Sequence, residues 1–198
     1  AVEMPVALTV NGISQAVMLA TPADLEDFAL GFGLAEGWFA SRRDLLDVDV
    51  AMRPEGLELA LTVTAACEQQ LKARRRTLAG RTGCGLCGTE ALDQVARVQA
   101  PVAHRHPVDP DRLIAGVHRM HALQPLQQQS GATHAAAWIN RAGEVDCVRE
   151  DVGRHNALDK LLGALARRKT DFSQGALLIT SRASFEMVQK AAAMNVGV

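Results

Sequence analysis

The sequence lacks the features that would assign it to several broad classes of protein. No apolar run reaches the roughly 18 residues that a membrane-spanning helix needs, so we expect a cytoplasmic protein with no membrane partner. Neither sign of charge is in excess, because 21 basic residues stand against 22 acidic ones and the net charge is −1 at pH 7. Nucleic acid is therefore not an expected partner, and any anion-binding site must come from a local cluster of residues.

Length and composition set the remaining bounds. The chain has 198 residues, of which 48% are hydrophobic and 22% are charged. This composition is typical of a globular protein with one large domain or two small ones. Cysteine is scarce, with four residues. In a reducing compartment such cysteines are free, catalytic or metal-bound more often than they form structural disulfides.

Two of the cysteines form a single CxxC motif, Cys84-Gly-Leu-Cys87, and there is no second CxxC. A thiolate is the reactive form of cysteine, and nearby basic residues lower the thiol pKa while glycines leave the sulfur accessible. Both features surround this motif. The basic residues are Lys72, Arg74, Arg75, Arg76 and Arg81, and the glycines are Gly83, Gly85 and Gly88.

Such a site could hold a persulfide, exchange a disulfide or bind a metal ion, and the spacing alone does not choose between these. A structural zinc ion needs four ligands, so Cys67 and Cys147 or histidines would have to complete it. The histidines available are His104, His106, His118 and His121. A zinc deaminase also needs an HxE element and a proline before the first cysteine, but HxE is absent and Gly83 stands at the proline position.

A thioredoxin-like motif lies between a strand and a helix, whereas the segment before Cys84 is basic and poor in strand-forming residues. We therefore favour sulfur carriage as the interpretation of the motif. A zinc-stabilised binding module that uses the CxxC is the alternative, and a disulfide reductase is a more distant one.

The first 66 residues are predicted to form an N-terminal α+β part with two β-hairpins. Strands over 6–10 and 13–19 flank Asn11-Gly12, a dipeptide typical of a tight hairpin turn because both residues tolerate a positive φ. Residues 48–63 predict the second hairpin, since apolar and polar residues partly alternate there. Residues 67–88 are then expected to form a mobile basic loop that contains the CxxC motif.

A helix is predicted between the two hairpins. We expect Thr21 to cap its N-terminus and Pro22 to occupy its first turn, and the helical pattern continues to about Phe39. Gly31 and Gly33 lie inside this pattern and not after a strand. They therefore indicate close helix packing and not a dinucleotide-binding fingerprint.

Residues 89–198 are predicted to form an α/β region. The expected elements are helices over 89–98 and 109–123, a loop or linker over 124–131, strands over 135–140 and 144–149, a helix over 156–168 and a strand over 175–180. Ser184 is expected to cap a last helix. The near-continuous apolar strand predicts a sheet covered on both faces. We expect a further C-terminal segment, with one or more strands of this sheet, to be missing from the chain.

Two strand-to-helix junctions in this region carry residues suited to bind an anion. They are Arg149-Glu-Asp-Val-Gly-Arg-His-Asn156 and Thr180-Ser-Arg-Ala-Ser184. A helix N-terminus offers free backbone N–H groups to an anion, and α/β sheets place ligands at the carboxyl ends of strands. A helix cap with solvated charges explains the first junction equally well, and capping explains Thr180 and Ser184 but not Arg182.

The motifs together resemble the FdhD family of formate dehydrogenase accessory sulfurtransferases. The resemblance rests on CGLCG from Cys84, EDVGRHNALDK from Glu150 and TSRASFEMVQK from Thr180, with further agreement over 6–12 and 21–36. It implies a cytidine-deaminase-like fold, which is a three-layer α/β/α sandwich, here without zinc and with an additional N-terminal α+β part. It also suggests a homodimer.

The function that the resemblance implies is sulfur transfer. The protein would accept persulfide sulfur from a cysteine desulfurase and pass it to the molybdenum or tungsten of a bis-molybdopterin guanine dinucleotide cofactor, needed for formate dehydrogenase activity. Cys84 would carry the persulfide, and Cys87 would assist or resolve it. The cofactor would bind transiently, with no permanently bound metal. The candidate cofactor-binding residues, chosen by their position in the two junctions, are Asp151, Arg154, His155, Asn156, Ser181 and Arg182.

Overall fold

The computed structural model describes residues 2–79, 101–102 and 109–196, which form two β-sheets and six α-helices. The predicted α/β class is confirmed. The three-layer cytidine-deaminase-like arrangement and the domain boundaries after residues 66 and 88 stay predictions, and the helix predicted over 89–98 lies outside the described residues. Within the described part of the chain, no helix is long and apolar enough to cross a membrane.

Four strands form the first sheet: β1 (Met4–Val10), β2 (Ile13–Ala20), β3 (Leu45–Arg53) and β4 (Gly56–Val63). Their order is β2-β1-β4-β3. β1 runs antiparallel to β2 and parallel to β4, and β3 runs antiparallel to β4. Both predicted hairpins are confirmed. In the first turn the φ angle is 49° at Asn11 and 76° at Gly12, as expected for this dipeptide.

Helix α1 (Leu25–Ala35) is shorter than the predicted helix. Asp24, with a left-handed φ of 53°, occupies the N-cap position, so the prediction that Thr21 caps the helix is wrong. The reason is tertiary, because Thr21 forms hydrogen bonds with the second half of the chain instead. At the other end Gly37 has a φ of 67°, which turns the chain out of the helix before Phe39.

Helix α2 (Ala65–Ala79) follows β4 almost directly. The loop predicted over 67–88 is therefore helical in its first part, and the remainder lies outside the described residues. Alanine, leucine, lysine, arginine, glutamine and glutamate fill most of this helix, and all are strong helix formers. Cys67 and Leu71, one turn apart, are buried in the core of the first sheet and anchor the helix there.

Three strands form the second sheet: β5 (His134–Asn140), β6 (Val145–Asp151) and β7 (Gly175–Ile179). Their order is β6-β5-β7, and both outer strands run antiparallel to β5. β6 and β7 therefore point in the same direction and end at the same edge of the sheet. The remaining helices are α3 (Pro110–Ala122), α4 (Pro125–Ser130), α5 (Arg154–Arg167) and α6 (Phe185–Ala193).

Apolar clusters lie on both faces of the second sheet, as the apolar strand predicted. On one face Trp138 packs in a buried cluster with leucines of α5, among them Leu158 and Leu162. On the other face Ile139 packs in a second cluster with Met120 of α3. The central strand β5 consequently has five consecutive buried residues.

The prediction of a loop over 124–131 is wrong, because residues 125–130 form helix α4. The cap of its first turn comes from another element, strand β6. The N–H groups of Leu126 and Gln127 donate to the buried carboxylate of Glu150, at 3.0 and 2.7 Å. A cap supplied by another strand leaves no trace in the local sequence, so the run of glutamines alone did not indicate a helix.

Helices α1 and α5 cross in close contact and join the two sheets. A Cβ atom on Gly31 would lie 1.7 Å from the carbonyl oxygen of Asp159, and one on Gly163 would lie 1.9 Å from that of Asp27. Only glycine permits such an approach between backbones. The packing role predicted for Gly31 is therefore confirmed, and the N-terminal part rests directly on the helix that follows β6.

Candidate functional site

The two predicted junctions lie side by side at one edge of the second sheet. Asp151, at the end of β6, pairs with His134 at the start of β5. Ile179, at the end of β7, pairs with Ala136, two residues further along β5. The strand pairing therefore brings together two segments that the sequence places about 30 residues apart. We name this region the ligand edge.

The side chain of Asp151 is completely buried, and its carboxylate accepts four hydrogen bonds. Oδ1 accepts from the N–H of Gly153 at 2.8 Å and from Nδ2 of Asn156 at 3.2 Å. Oδ2 accepts from the N–H of Thr21 at 2.9 Å and from Nζ of Lys160 at 2.7 Å. In this structure Asp151 holds the β6–α5 loop in place, and its direct contact with a ligand stays a prediction.

The end of the N-terminal hairpin completes this network. Nδ2 of Asn156, which is buried, also donates to the carbonyl oxygen of Leu19 at 2.7 Å. Thr21 Oγ1 accepts from the N–H of Val152 at 3.2 Å, and the Thr21 carbonyl oxygen accepts from Lys160 Nζ at 2.9 Å. The first hairpin thus supports the β6–α5 loop, although sequence analysis assigned it no part in the site.

Thr21 and Lys160 support the β6–α5 loop but were not predicted from the sequence. For Thr21 no local signal existed, because its position before Pro22 equally predicts a helix cap. For Lys160 there was a signal. It lies between Leu158 and Leu161 on a helix with a leucine stripe, and a lysine among buried positions needs a partner.

Arg154 and His155 form the first turn of α5 and are partly exposed. The Nε atom of Arg154 is buried and has no hydrogen-bond partner among the described residues. His155 Nε2 lies 3.0 Å from Oε2 of Glu186, in the first turn of α6. This contact links the two junctions directly, so the first turns of both helices form one surface.

The N-terminus of α5 is suited to an anion. The N-cap residue is Gly153, and no side chain of the described residues caps the first turn. The first N–H groups of a helix have no partner within the helix, and the helix dipole favours negative charge there. Because Arg154 is the first residue of this helix, its guanidinium can bind a phosphate or a carboxylate together with these groups.

The N-terminus of α6, at the second junction, is also suited to an anion. Ser184 occupies the predicted N-cap position of α6, but its hydroxyl makes no capping hydrogen bond to the described residues. The chain enters the helix through a tight turn, in which the N–H of Ser184 donates to the carbonyl oxygen of Arg182 at 3.0 Å. The Arg182 side chain is exposed, and Ser181 is partly exposed beside it.

A buried ion pair holds α6 against α5 and α1. Nζ of Lys190 lies 3.0 Å from both carboxylate oxygens of Asp159 and 2.9 Å from Oε1 of Glu36. Burial raises the pKa of the Asp159 carboxyl to about 6, although the charge of Lys190 lowers it. Burial lowers the pKa of Lys190, but the charges of Asp159 and Glu36 outweigh it and raise that pKa above its ordinary value.

The predicted sulfur-carrying residues, Cys84 and Cys87, lie outside the described residues. The two cysteines in the described part, Cys67 and Cys147, are free and buried. Burial raises the pKa of both thiols, in Cys67 with the charge of Asp44 adding to it and in Cys147 against the opposing charges of nearby arginines. Neither is a ready thiolate, so neither is suited to accept sulfur.

The buried cysteines also bear on the zinc alternative. Cys67 belongs to the core of the first sheet, whereas Cys147 belongs to the cluster between the second sheet and α5. A zinc site that combines the two does not fit this arrangement. His118 and His121 are exposed on α3, and no group of three or more metal-ligating side chains occurs among the described residues.

Comparison with known proteins finds similarity over the whole chain. Residues 1–198 match the model of the FdhD/NarQ family. The chain is 57% identical over 196 residues to the sulfur carrier protein FdhD of Cupriavidus necator, a match that covers 99% of the chain and 68% of the relative. It is 55% identical over 196 residues to the sulfur carrier protein FdhD of Variovorax paradoxus, covering 99% of the chain and 70% of the relative.

A solved structure has the same fold. It is the crystal structure of a "putative formate dehydrogenase accessory protein" from Desulfotalea psychrophila, which superposes with a TM-score of 0.72. The match covers 99% of this chain and 71% of the other, at 22% sequence identity. At this identity the likeness establishes the fold alone.

Proposed function

Because the chain belongs to the FdhD/NarQ family, we propose that it is a cytoplasmic sulfur carrier that serves formate dehydrogenase and acts as a sulfurtransferase. The observation that carries the proposal is the position of Arg154 and Arg182 at two helix N-termini of one sheet edge, neither of which has a side-chain cap from the described residues. Such a surface is suited to the phosphates of a nucleotide-containing cofactor. The relatives in C. necator and V. paradoxus bear the name sulfur carrier protein.

Cys84 is the proposed sulfur-carrying residue. Its thiolate attacks the outer sulfur of a cysteine persulfide on a cysteine desulfurase. A new S–S bond forms at Cys84 while the desulfurase thiolate leaves, so the sulfur changes partner with no net oxidation or reduction. Attack of the Cys87 thiolate on the Cys84 sulfur would release the outer sulfur as hydrosulfide and leave a Cys84–Cys87 disulfide. The burial of Cys67 and Cys147 supports the choice of the CxxC cysteines.

The proposed sulfur acceptor is the molybdenum or tungsten of a bis-molybdopterin guanine dinucleotide cofactor, which binds transiently as a substrate. Arg154 and Arg182 would contact its phosphates, and His155 and Ser181 would line the same edge. Asp151 and Asn156, both predicted as ligand contacts, would instead act indirectly, because both are buried and hold the β6–α5 loop. We also propose a homodimer, as the family resemblance suggests.

Intact mass spectrometry after incubation with a cysteine desulfurase and cysteine tests the proposal. Wild type is expected to gain one sulfur atom, about 32 Da, that dithiothreitol removes. The gain is expected to be absent in Cys84→Ala and retained in Cys67→Ala, which removes a buried thiol and is the matched control. No gain in wild type, with stoichiometric zinc found by elemental analysis, would favour the zinc-stabilised binding module instead.

A further inference from the structure

We propose that Lys160 is a positioning residue for the ligand edge. Its buried ammonium group would hold the β6–α5 loop, and with it Arg154, in the geometry that binds the phosphates of the cofactor. The inference rests on the proposed function, because it concerns how the same edge is kept ready for its ligand. Lys160 acts through Asp151 and does not itself reach the surface.

The environment of Lys160 is unusual for a lysine. Its side chain is 0% exposed. Nζ lies 2.7 Å from Oδ2 of Asp151, 2.9 Å from the carbonyl oxygen of Thr21 and 3.4 Å from that of Glu150. An ammonium group has three N–H donors, and these three oxygens match them one for one.

Stability alone does not explain this charge. A buried ion pair can often be replaced by apolar residues of similar volume without loss of stability, because taking both charges out of water offsets their attraction. The neighbours of Lys160 on α5 include Leu158, Leu161 and Leu162, all buried, so an apolar residue would suit the helix. What an apolar residue would not supply is a link between the β6–α5 loop and the end of the first hairpin.

The link continues from Lys160 to the ligand edge in two steps. Lys160 pairs with Oδ2 of Asp151. Oδ1 of Asp151 accepts hydrogen bonds from the N–H of Gly153 and from Nδ2 of Asn156. Gly153 is the N-cap residue of α5, directly before Arg154. Without the ammonium group, Asp151 becomes a buried carboxylate with no counter-ion, which is costly to keep out of water. The loop between β6 and α5 then loses its fixed geometry.

Guanosine diphosphate is the probe for the experiment, because it carries the nucleotide part of the proposed cofactor. Its affinity is measured for wild type, Lys160→Met and the double variant Lys160→Met with Asp151→Asn. Leu165→Ala, in the last turns of the same helix and buried to 1% exposure, is the matched control for a loss of stability in α5. Amide hydrogen exchange at 152–156 is followed in every variant without ligand.

We expect Lys160→Met to lower the affinity about tenfold or more, the size of loss seen when residues that orient the ligands of metal sites are removed, and to speed exchange at 152–156. Leu165→Ala is expected to lower the melting temperature but keep wild-type affinity and exchange. The double variant is expected to regain melting temperature, since no charge is stranded, but not affinity. Wild-type affinity in Lys160→Met, an equal loss in Leu165→Ala, or recovery of both properties in the double variant would overturn the inference.

The proposed function can fail separately. Wild type that neither binds guanosine diphosphate nor accepts a persulfide on Cys84 contradicts the proposed function. In that event hydrogen exchange still decides the role of Lys160. Equal exchange at 152–156 in wild type and Lys160→Met would show that the ammonium group does not hold the loop.

Discussion

Replacing Asp159 with asparagine is expected to remove a pH dependence of stability that the buried carboxyl imposes. Asp159 is 1% exposed, and burial raises its pKa from 3.8 to about 6 despite the nearby charge of Lys190. The folded protein therefore binds a proton at Asp159 more tightly than the unfolded chain does. The contribution of this group to stability is largest below the unfolded pKa and falls as the pH rises towards about 6.

The expected magnitude follows from the two pKa values. A difference of about two pKa units corresponds to about 3 kcal/mol in the free energy of unfolding. Lys190 adds no slope in this window. Because its pKa is raised, its contribution is complete below the ordinary value of 10.5 and is lost only as the pH rises past the folded value. The difference in unfolding free energy, Asp159→Asn minus wild type, is therefore expected to increase by about 3 kcal/mol between about pH 3 and about pH 7.

Urea unfolding at a series of pH values measures this difference. Asp111→Asn, at the exposed first turn of α3, is the matched control for removing one carboxylate charge from the surface. A second measurement follows the side-chain carboxyl carbon of Asp159 by NMR during titration. Parallel stability curves for wild type and Asp159→Asn, or a midpoint for Asp159 near its ordinary pKa of 3.8, would refute the reasoning.

Three further predictions address the helix crossing, the ligand edge and the buried thiols. Gly163→Ala is expected to lower the free energy of unfolding by about 3 kcal/mol, because the new Cβ would meet the backbone of Asp27 and overpacking against backbone has no easy relief; an unchanged urea midpoint would contradict the crossing. Arg182→Ala is expected to weaken guanosine diphosphate binding about tenfold and to reduce its salt dependence, measured by calorimetry at two salt concentrations, whereas unchanged affinity would remove Arg182 from the site. Iodoacetamide is expected to label Cys67 and Cys147 far more slowly in the folded protein than in urea, as peptide mass analysis would show, and equal rates would contradict their burial.

Local sequence patterns predicted most elements of the fold. The Asn11-Gly12 turn, the second hairpin and the strands of the second sheet follow from turn chemistry and apolar periodicity, which act between near neighbours. The failures have a common cause. Thr21 does not cap α1 because it is hydrogen-bonded to Asp151 of β6. Residues 125–130 form a helix whose first turn donates to Glu150, also of β6. Hydrogen-bond partners so far away in the sequence cannot be predicted from the residues of a short segment.

The candidate site was predicted in part. The two junctions, their basic residues and the helix N-termini could be located from the order of elements along the chain. The sequence did not distinguish side chains that are accessible at the ligand edge from side chains that are buried under it. Asp151 and Asn156 were predicted as ligand contacts, yet both are buried in the structure. Arg154 is partly exposed and Arg182 is exposed.

The sequence by itself determined the class of elements, the CxxC motif, the close-packing glycine of α1 and the family resemblance, because each depends on residue types within short stretches. Only the tertiary structure decided that the two junctions share one edge, since this depends on β6 and β7 both pairing with β5. It also decided that the ligand edge is supported by the first hairpin, through Thr21 and Asp151, which are 130 residues apart. Contacts at that separation follow from strand order and helix crossing, and no periodicity along the chain encodes them.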